Sequence, residues 1–143
     1  MATTANPFLL IGAALSAAAA LAHLACIAFG PSWYRAMGAG EQMARMAAEG
    51  RWYPTVVTLA ISALLAVWSL YALSGAGVIG RLPLLRTALC LITAVYLLRA
   101  FAAPLLRPAF PGNSTAFWIA SSAICLLLGA MHLIGLRQVW GRL

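Results

Sequence analysis

Four long apolar runs alternate with short polar stretches along the chain, at residues 8–29, 55–73, 82–103 and 116–136. As a helix the first run reaches roughly 33 Å, and the hydrocarbon core of a bilayer is about 30 Å thick. The pattern therefore predicts an all-α integral membrane bundle of four transmembrane helices, forming one domain over residues 1–143. Pro54 stands near the start of the second run, and Ser74–Gly77 closes it. Pro83 enters the third and Pro104 stops it, since proline suits a first helical turn and breaks a later one. Asn113, Ser114 and Thr115 offer N-caps for the fourth. They also spell a glycosylation sequon, but cap chemistry explains them without a glycan. No basic residue precedes the first run, which is also longer than the apolar core of a secretory leader, so it reads as a span. Leu24–Cys26 faintly resembles a lipoprotein cleavage box, with His23 standing where an aliphatic residue belongs.

The longest polar segment, residues 30–54, breaks this alternation. It is bracketed by the near-mirrored triplets Trp33-Tyr34-Arg35 and Arg51-Trp52-Tyr53, the residue types that anchor a chain at a membrane–water boundary. Within it, residues 41–49 predict a short amphipathic, interfacial helix. Arg45 lies four residues from both Glu41 and Glu49, Met43 and Met46 share an apolar face, and Gly50 supplies a stop.

Composition agrees with the membrane reading. The chain is 64% hydrophobic and 8% charged, against about 25% charged in soluble domains. Its net charge of +7 comes from nine arginines and no lysine. They sit singly at the ends of apolar runs, where an arginine can snorkel to lipid phosphate, so nucleic acid is excluded as a partner. Abundant alanine and arginine without lysine suggest a GC-rich bacterial genome, hence a bacterial inner membrane. Four crossings put both termini on one side, the terminal side, with Arg81, Arg86, Arg137 and Arg142. The opposite, loop side holds Arg35, Arg45, Arg51, Arg99 and Arg107. That near balance scarcely orients the chain; cytoplasmic termini are the working expectation. Cys26, Cys90 and Cys125 all lie in apolar runs without a CxxC, so neither disulfide framework nor zinc site is signalled.

Candidate chemistry gathers on the loop side. His23 with Glu41 or Glu49 is the candidate catalytic pair for proton transfer. Trp33, Tyr34, Trp52, Tyr53, Tyr96, Arg99 and Trp118 are the candidate ligand-binding residues, although aromatics there also form an interfacial belt. A salt bridge from Arg99 to Glu41 or Glu49, with Arg45 joining it, would pin the loop to the bundle. Arg86 has no acid on its side, leaving lipid phosphate or the chain's C-terminus as its partner.

Small and polar stripes run along the helices. Gly12, Ser16 and Ala20 recur every four residues, a spacing that lets membrane helices approach closely. Ser16, Cys90, Thr93, Ser121, Cys125 and His132 are expected to face the interior, as hydrogen-bonded packing or as a cavity lining. His23 and His132 belong to opposite ends of antiparallel spans, roughly 15 Å apart in depth, so they cannot share a metal or haem. Met37, Met43 and Met46 near His23 and Cys26 permit a copper(I) reading, but methionine at helical spacing reads first as an apolar face. No metal and no cofactor is expected.

Pro31-Ser32-Trp33-Tyr34-Arg35 followed by Glu41 resembles the first loop of the emopamil-binding family, whose acidic residue there helps hold a sterol-like amine. Here Glu41 opens a polar helix instead of a span, so that role is not carried over. In size and span count the chain is similar to the glutathione- and eicosanoid-handling MAPEG proteins. Their asparagine–glutamate–proline signature is missing, since Glu49 precedes Pro54 without the asparagine.

These features make the leading expectation a binding or accessory protein for an apolar or amphiphilic small molecule, or for a partner membrane protein, held under the 30–54 loop. Membrane lipids are expected contacts, and so is a homo-oligomer. A small oligomeric transporter or channel is the first alternative. An intramembrane enzyme acting on a lipid-soluble substrate is the second.

Overall fold

The computed structural model describes residues 5–143, and among them the chain is all-helical with no strand. Four long helices, α1 (Pro7–Phe29), α4 (Trp52–Ala76), α5 (Leu85–Phe101) and α7 (Thr115–Val139), pack side by side. Two short helices, α2 (Pro31–Ala36) and α3 (Glu41–Ala48), lie between the first two. The four-residue α6 (Ala103–Leu106) follows α5, and a single 3₁₀ turn at Arg107–Ala109 follows α6. The helices α1, α4 and α7 are each long and apolar enough to cross a membrane. A fourth element qualifies if α5 and Ala103–Ala109, bent by 65°, count as one span.

The cross-contacts set an up-down-up-down course. At the terminal end, the Asn6 amide donates to the Ala76 carbonyl, and Asn6 Nδ2 to Gln138 Oε1 at 2.7 Å. Arg86 donates to the main-chain oxygens of Trp140 and Leu143 and lies 4.7 Å over the Trp140 ring. The expected reach of Arg86 toward the C-terminus is therefore present. A core of Leu9, Ala76, Leu85, Leu89, Leu136 and Val139 closes this end. Midway, Ala20, Leu65, Ile92, Tyr96 and Leu128 form a second core. At the loop end Cys26, Tyr34 and Ala44 form a third.

The α1–α4 seam follows from small residues. Ser69 Oγ donates to the Ala13 carbonyl and Ser62 Oγ to the Ala20 carbonyl, each at 2.8 Å. With Asn6 to Ala76, these contacts recur every seven residues on both helices in antiparallel register. A seven-residue repeat keeps one seam facing its partner along a left-handed pair. Gly12, Ser16 and Ala20 are all buried, but it is Ala20 that meets α4 there; Gly12 faces His132 of α7 and Ser16 faces Tyr96 of α5. Glycine gives α7 the same closeness: a Cβ on Gly129 would stand 3.2 Å from the Leu97 amide, and one on Gly135 would stand 3.0 Å from that of Leu9.

Several boundaries depart from the sequence pattern. α4 starts at Trp52, so Trp52, Tyr53 and Pro54 form its first turn, where the missing proline N–H leaves no bond unmade. The third run is helical only from Leu85 to Phe101, because Leu84 takes a left-handed conformation at φ 53° ahead of it. α2 was not anticipated: Pro31 at its first position, behind Gly30 at φ 76°, nucleates a helix in what reads as loop. The 41–49 helix ends at Ala48, with Glu49 as its cap and Gly50 at φ 71°.

Candidate functional site

The loop end holds a cleft of about 980 Å³ between α3, the first turn of α4 and residues 109–113. Met43, Met46, Trp52, Tyr53, Phe110 and Pro111 supply its apolar wall. Glu41, Gln42, Arg51 and Asn113 add polar groups. Binding sites for small molecules run at about 300–1,000 Å³ with mostly apolar walls and a few polar groups, so the size is adequate. Trp52 is 72% exposed and Tyr53 49%, and their rings meet edge to face at 6.3 Å. They face outward as they stand, and a ligand would cover them.

Two contacts hold the loop in place. Asn113 Nδ2 donates to the Gly38 carbonyl at 3.0 Å, and the Phe117 ring fills the space that a Cβ at Gly38 would need. Gly38 lies at φ 75°, so a side chain there is excluded by conformation as well as by space. Beneath the loop, Tyr34 is buried and its hydroxyl accepts from Thr58 Oγ1 of α4. Trp33 stays partly exposed and stacks on Phe29 at 4.9 Å.

The Arg99 pin expected from sequence is absent. Glu41 instead takes a two-pronged bond from Arg35, Nε–Oε2 2.8 Å and Nη2–Oε1 2.9 Å. Arg45 approaches Glu41 only to 3.8 Å, and Glu49 pairs with Arg51 at 2.8 Å. The physical reason is local: Gly38 and Gly40, both at positive φ, fold the chain back so that Arg35 meets the start of α3, while Arg99 is taken up by Ser121 and Trp118 of α7. The Arg35 bonds, above all, hold the Glu41 carboxyl below its ordinary range, and Glu41 holds Arg35 above its own. Both side chains are about half exposed.

His23 is not assembled into a catalytic pair. Its Nδ1 lies 2.8 Å from the Ala19 carbonyl, which can only accept, so Nδ1 carries the hydrogen. Among the described residues no bond joins His23 to Glu41 or Glu49. Nine of the expected residues fall into three groups. Trp52, Tyr53 and Glu41 line the cleft. Ser16, Tyr96 and His132 meet in the interior. There Ser16 Oγ and Tyr96 Oη lie 2.8 Å apart, the Tyr96 and His132 rings 5.2 Å apart, and His132 Nδ1 donates to the Leu128 carbonyl. Arg99, Trp118 and Ser121 form the third group: Arg99 Nη2 donates to Ser121 Oγ at 2.8 Å, and its Cζ lies 5.5 Å over the Trp118 ring.

The remaining interior polar residues are used locally. Thr93 Oγ1 donates back to the Leu89 carbonyl, and Cys90 and Cys125 are partly buried thiols. Among the described residues no cluster of three or more His, Cys, Asp or Glu side chains could hold a metal. Sequence reasoning missed Phe110, Pro111 and Asn113, the second wall of the cleft. Asn113 was legible as a cap or a sequon, and Ser114 performs the capping role, accepting from the Phe117 amide. Compared with known protein families, curated proteins and solved structures, the chain matches none.

Proposed function

We propose that this chain is a four-span integral membrane protein that binds an apolar or amphiphilic small molecule in the loop-end cleft. The supporting observation is the cleft itself: an apolar wall including two methionines and two exposed aromatic rings, with acid, base and amide groups at hand. The fourth crossing is α5. Its 17 residues cover roughly 26 Å, close to the hydrocarbon thickness of a bilayer. The composition supports a bacterial inner membrane, with the termini assigned to the cytoplasm. Transport by an oligomer is the second reading, but no observation favours it.

The test is native mass spectrometry from a mild detergent, with an absorbance spectrum of the same sample. The wild type retains a discrete apolar mass at fixed stoichiometry, and Trp52→Ala and Met46→Gln each lose it while staying folded. A bare protein, or the same retained mass in both variants, removes the reading and turns attention to flux assays in liposomes.

A further inference from the structure

We propose that Arg99 and Trp118 form a second binding site, for an anionic phosphate oxygen. It rests on the membrane placement above but not on the cleft, with which it shares no residue. Arg99 reaches from α5 to α7, where one nitrogen meets Ser121. Its other terminal nitrogen, Nη1, is buried without a partner, and so is Nε1 of Trp118, a side chain only 4% exposed. One turn along α7 the Ser122 hydroxyl is also buried and unpartnered. Guanidinium and indole nitrogens only donate, so what this corner lacks is an acceptor.

It also lacks a negative charge. The chain has two acidic residues, Glu41 and Glu49, and they pair with Arg35 and Arg51. Arg99 is half-buried with one terminal nitrogen shut off from solvent; such a guanidinium is unfavourable without a counter-ion, and water could fill the donors without offsetting the charge. The missing group is therefore an oxyanion from outside the chain. Arg99 stands two residues before the end of α5, ahead of the 65° bend into Ala103–Ala109. In a bilayer that end of the span lies near headgroup depth. Phosphate is the abundant oxyanion there, and the planar fork of arginine matches its oxygens.

The phosphate can belong to a lipid headgroup or be free in solution. The full-length protein, stripped of lipid in detergent, is titrated separately with phosphatidylglycerol in mixed micelles and with inorganic phosphate, and binding is read by native mass spectrometry and thermal shift. One saturable phosphatidylglycerol site is expected. Arg99→Gln and Trp118→Phe should each weaken it about tenfold, the size of one charge-assisted hydrogen bond. Arg107→Gln, at an exposed residue bonded to Thr115, should leave the affinity within about twofold, since loss of one surface charge perturbs only screened, long-range attraction. Saturable binding of inorganic phosphate with the same dependence supports the site and assigns it to a soluble ligand. Should Arg99→Gln fail to fold, Trp118→Phe decides, because it keeps an aromatic ring over the guanidinium while removing the indole N–H. Unchanged affinity in Trp118→Phe overturns the proposal. Trp52→Ala should not affect this binding, so failure of the cleft is read separately.

Discussion

The contact between Gly12 and His132 lets a single methyl group test the packing of the bundle. A Cβ on Gly12 would stand 2.8 Å from His132 Cε1 and 2.9 Å from Nδ1, against an optimum of about 3.5–4.0 Å for non-bonded heavy atoms. The ring has little freedom to retreat. It is fully buried, its Nδ1 is tied to the Leu128 carbonyl at 2.8 Å, and Tyr96 lies beside it. Tyr96 is itself held by Ser16 and by the Trp68 ring at 5.1 Å. Overpacking of this kind costs about 1–3 kcal/mol. Alanine in place of a mid-helix glycine returns up to about 1 kcal/mol. Gly12→Ala should therefore destabilise the wild type by roughly 1 kcal/mol.

In a His132→Ala background the sign reverses. Removing the ring alone costs roughly 2–5 kcal/mol through lost packing and the cavity left behind. Gly12→Ala then meets open space, so its helix preference acts unopposed and it stabilises by up to about 1 kcal/mol. The double-mutant cycle, measured by reversible unfolding in bicelles, should show a coupling of about 1–3 kcal/mol. If Gly12→Ala stabilised both backgrounds equally, the ring would not lie on Gly12 and the α1–α7 packing would be wrong.

Two further predictions concern the seam and the loop. Ser62→Ala and Ser69→Ala should each lower stability by about 0.6 kcal/mol, a typical interhelical hydrogen bond in a membrane, and the two losses should add because the sites are roughly 10 Å apart; a clearly non-additive double variant in the same unfolding assay would break the proposed register. The Arg35–Glu41 pair stabilises the loop only while Glu41 is ionised, and its folded carboxyl sits below the ordinary range. That contribution is present above the unfolded carboxyl value and is lost as pH falls through the lowered one. Limited proteolysis near Gly38–Gly40 should thus rise with acidification, and Glu41→Gln should show the acid pattern at neutral pH. A flat profile in both would remove the pair from loop control.

The helical pattern and the small-residue face of α1 were legible because both depend on spacing within one segment. The loop was harder. Gly30 before Pro31 reads as a turn, yet it also places proline at the favoured first helical position, and α2 forms there. Charge counting put Arg99 on the same side as Glu41 and Glu49, but a side of a membrane says nothing about a face of a bundle. The pairing that forms, Arg35 to Glu41, crosses two glycines at φ 75° and 92° and has no helical period. The cleft was half visible for the same reason. Trp52 and Tyr53 announce themselves as aromatics, whereas Phe110–Asn113 joins them only through the bend after α5 and the bond from Asn113 to Gly38.

The fate of the interior polar groups argues for where function sits. A conducting path needs hydroxyls and amides left free to replace water around a moving solute. Here Ser62 and Ser69 are used up by α1 carbonyls, Thr93 by Leu89, Thr58 by Tyr34, and Ser16 by Tyr96. Among the described residues the buried side-chain groups left over are His132 Nε2 and the Arg99, Trp118 and Ser122 atoms. His132 Nε2 belongs to a fully buried ring packed against Gly12 and Tyr96. Arg99, by contrast, brings a charge that nothing in the chain neutralises. Polar chemistry in mid-bundle thus serves helix packing, which fits the proposal of a ligand site at the loop end better than a path through one chain. On the two proposals above, the open apolar cleft and the cationic corner would be separate sites, for the tail and the head of amphiphiles.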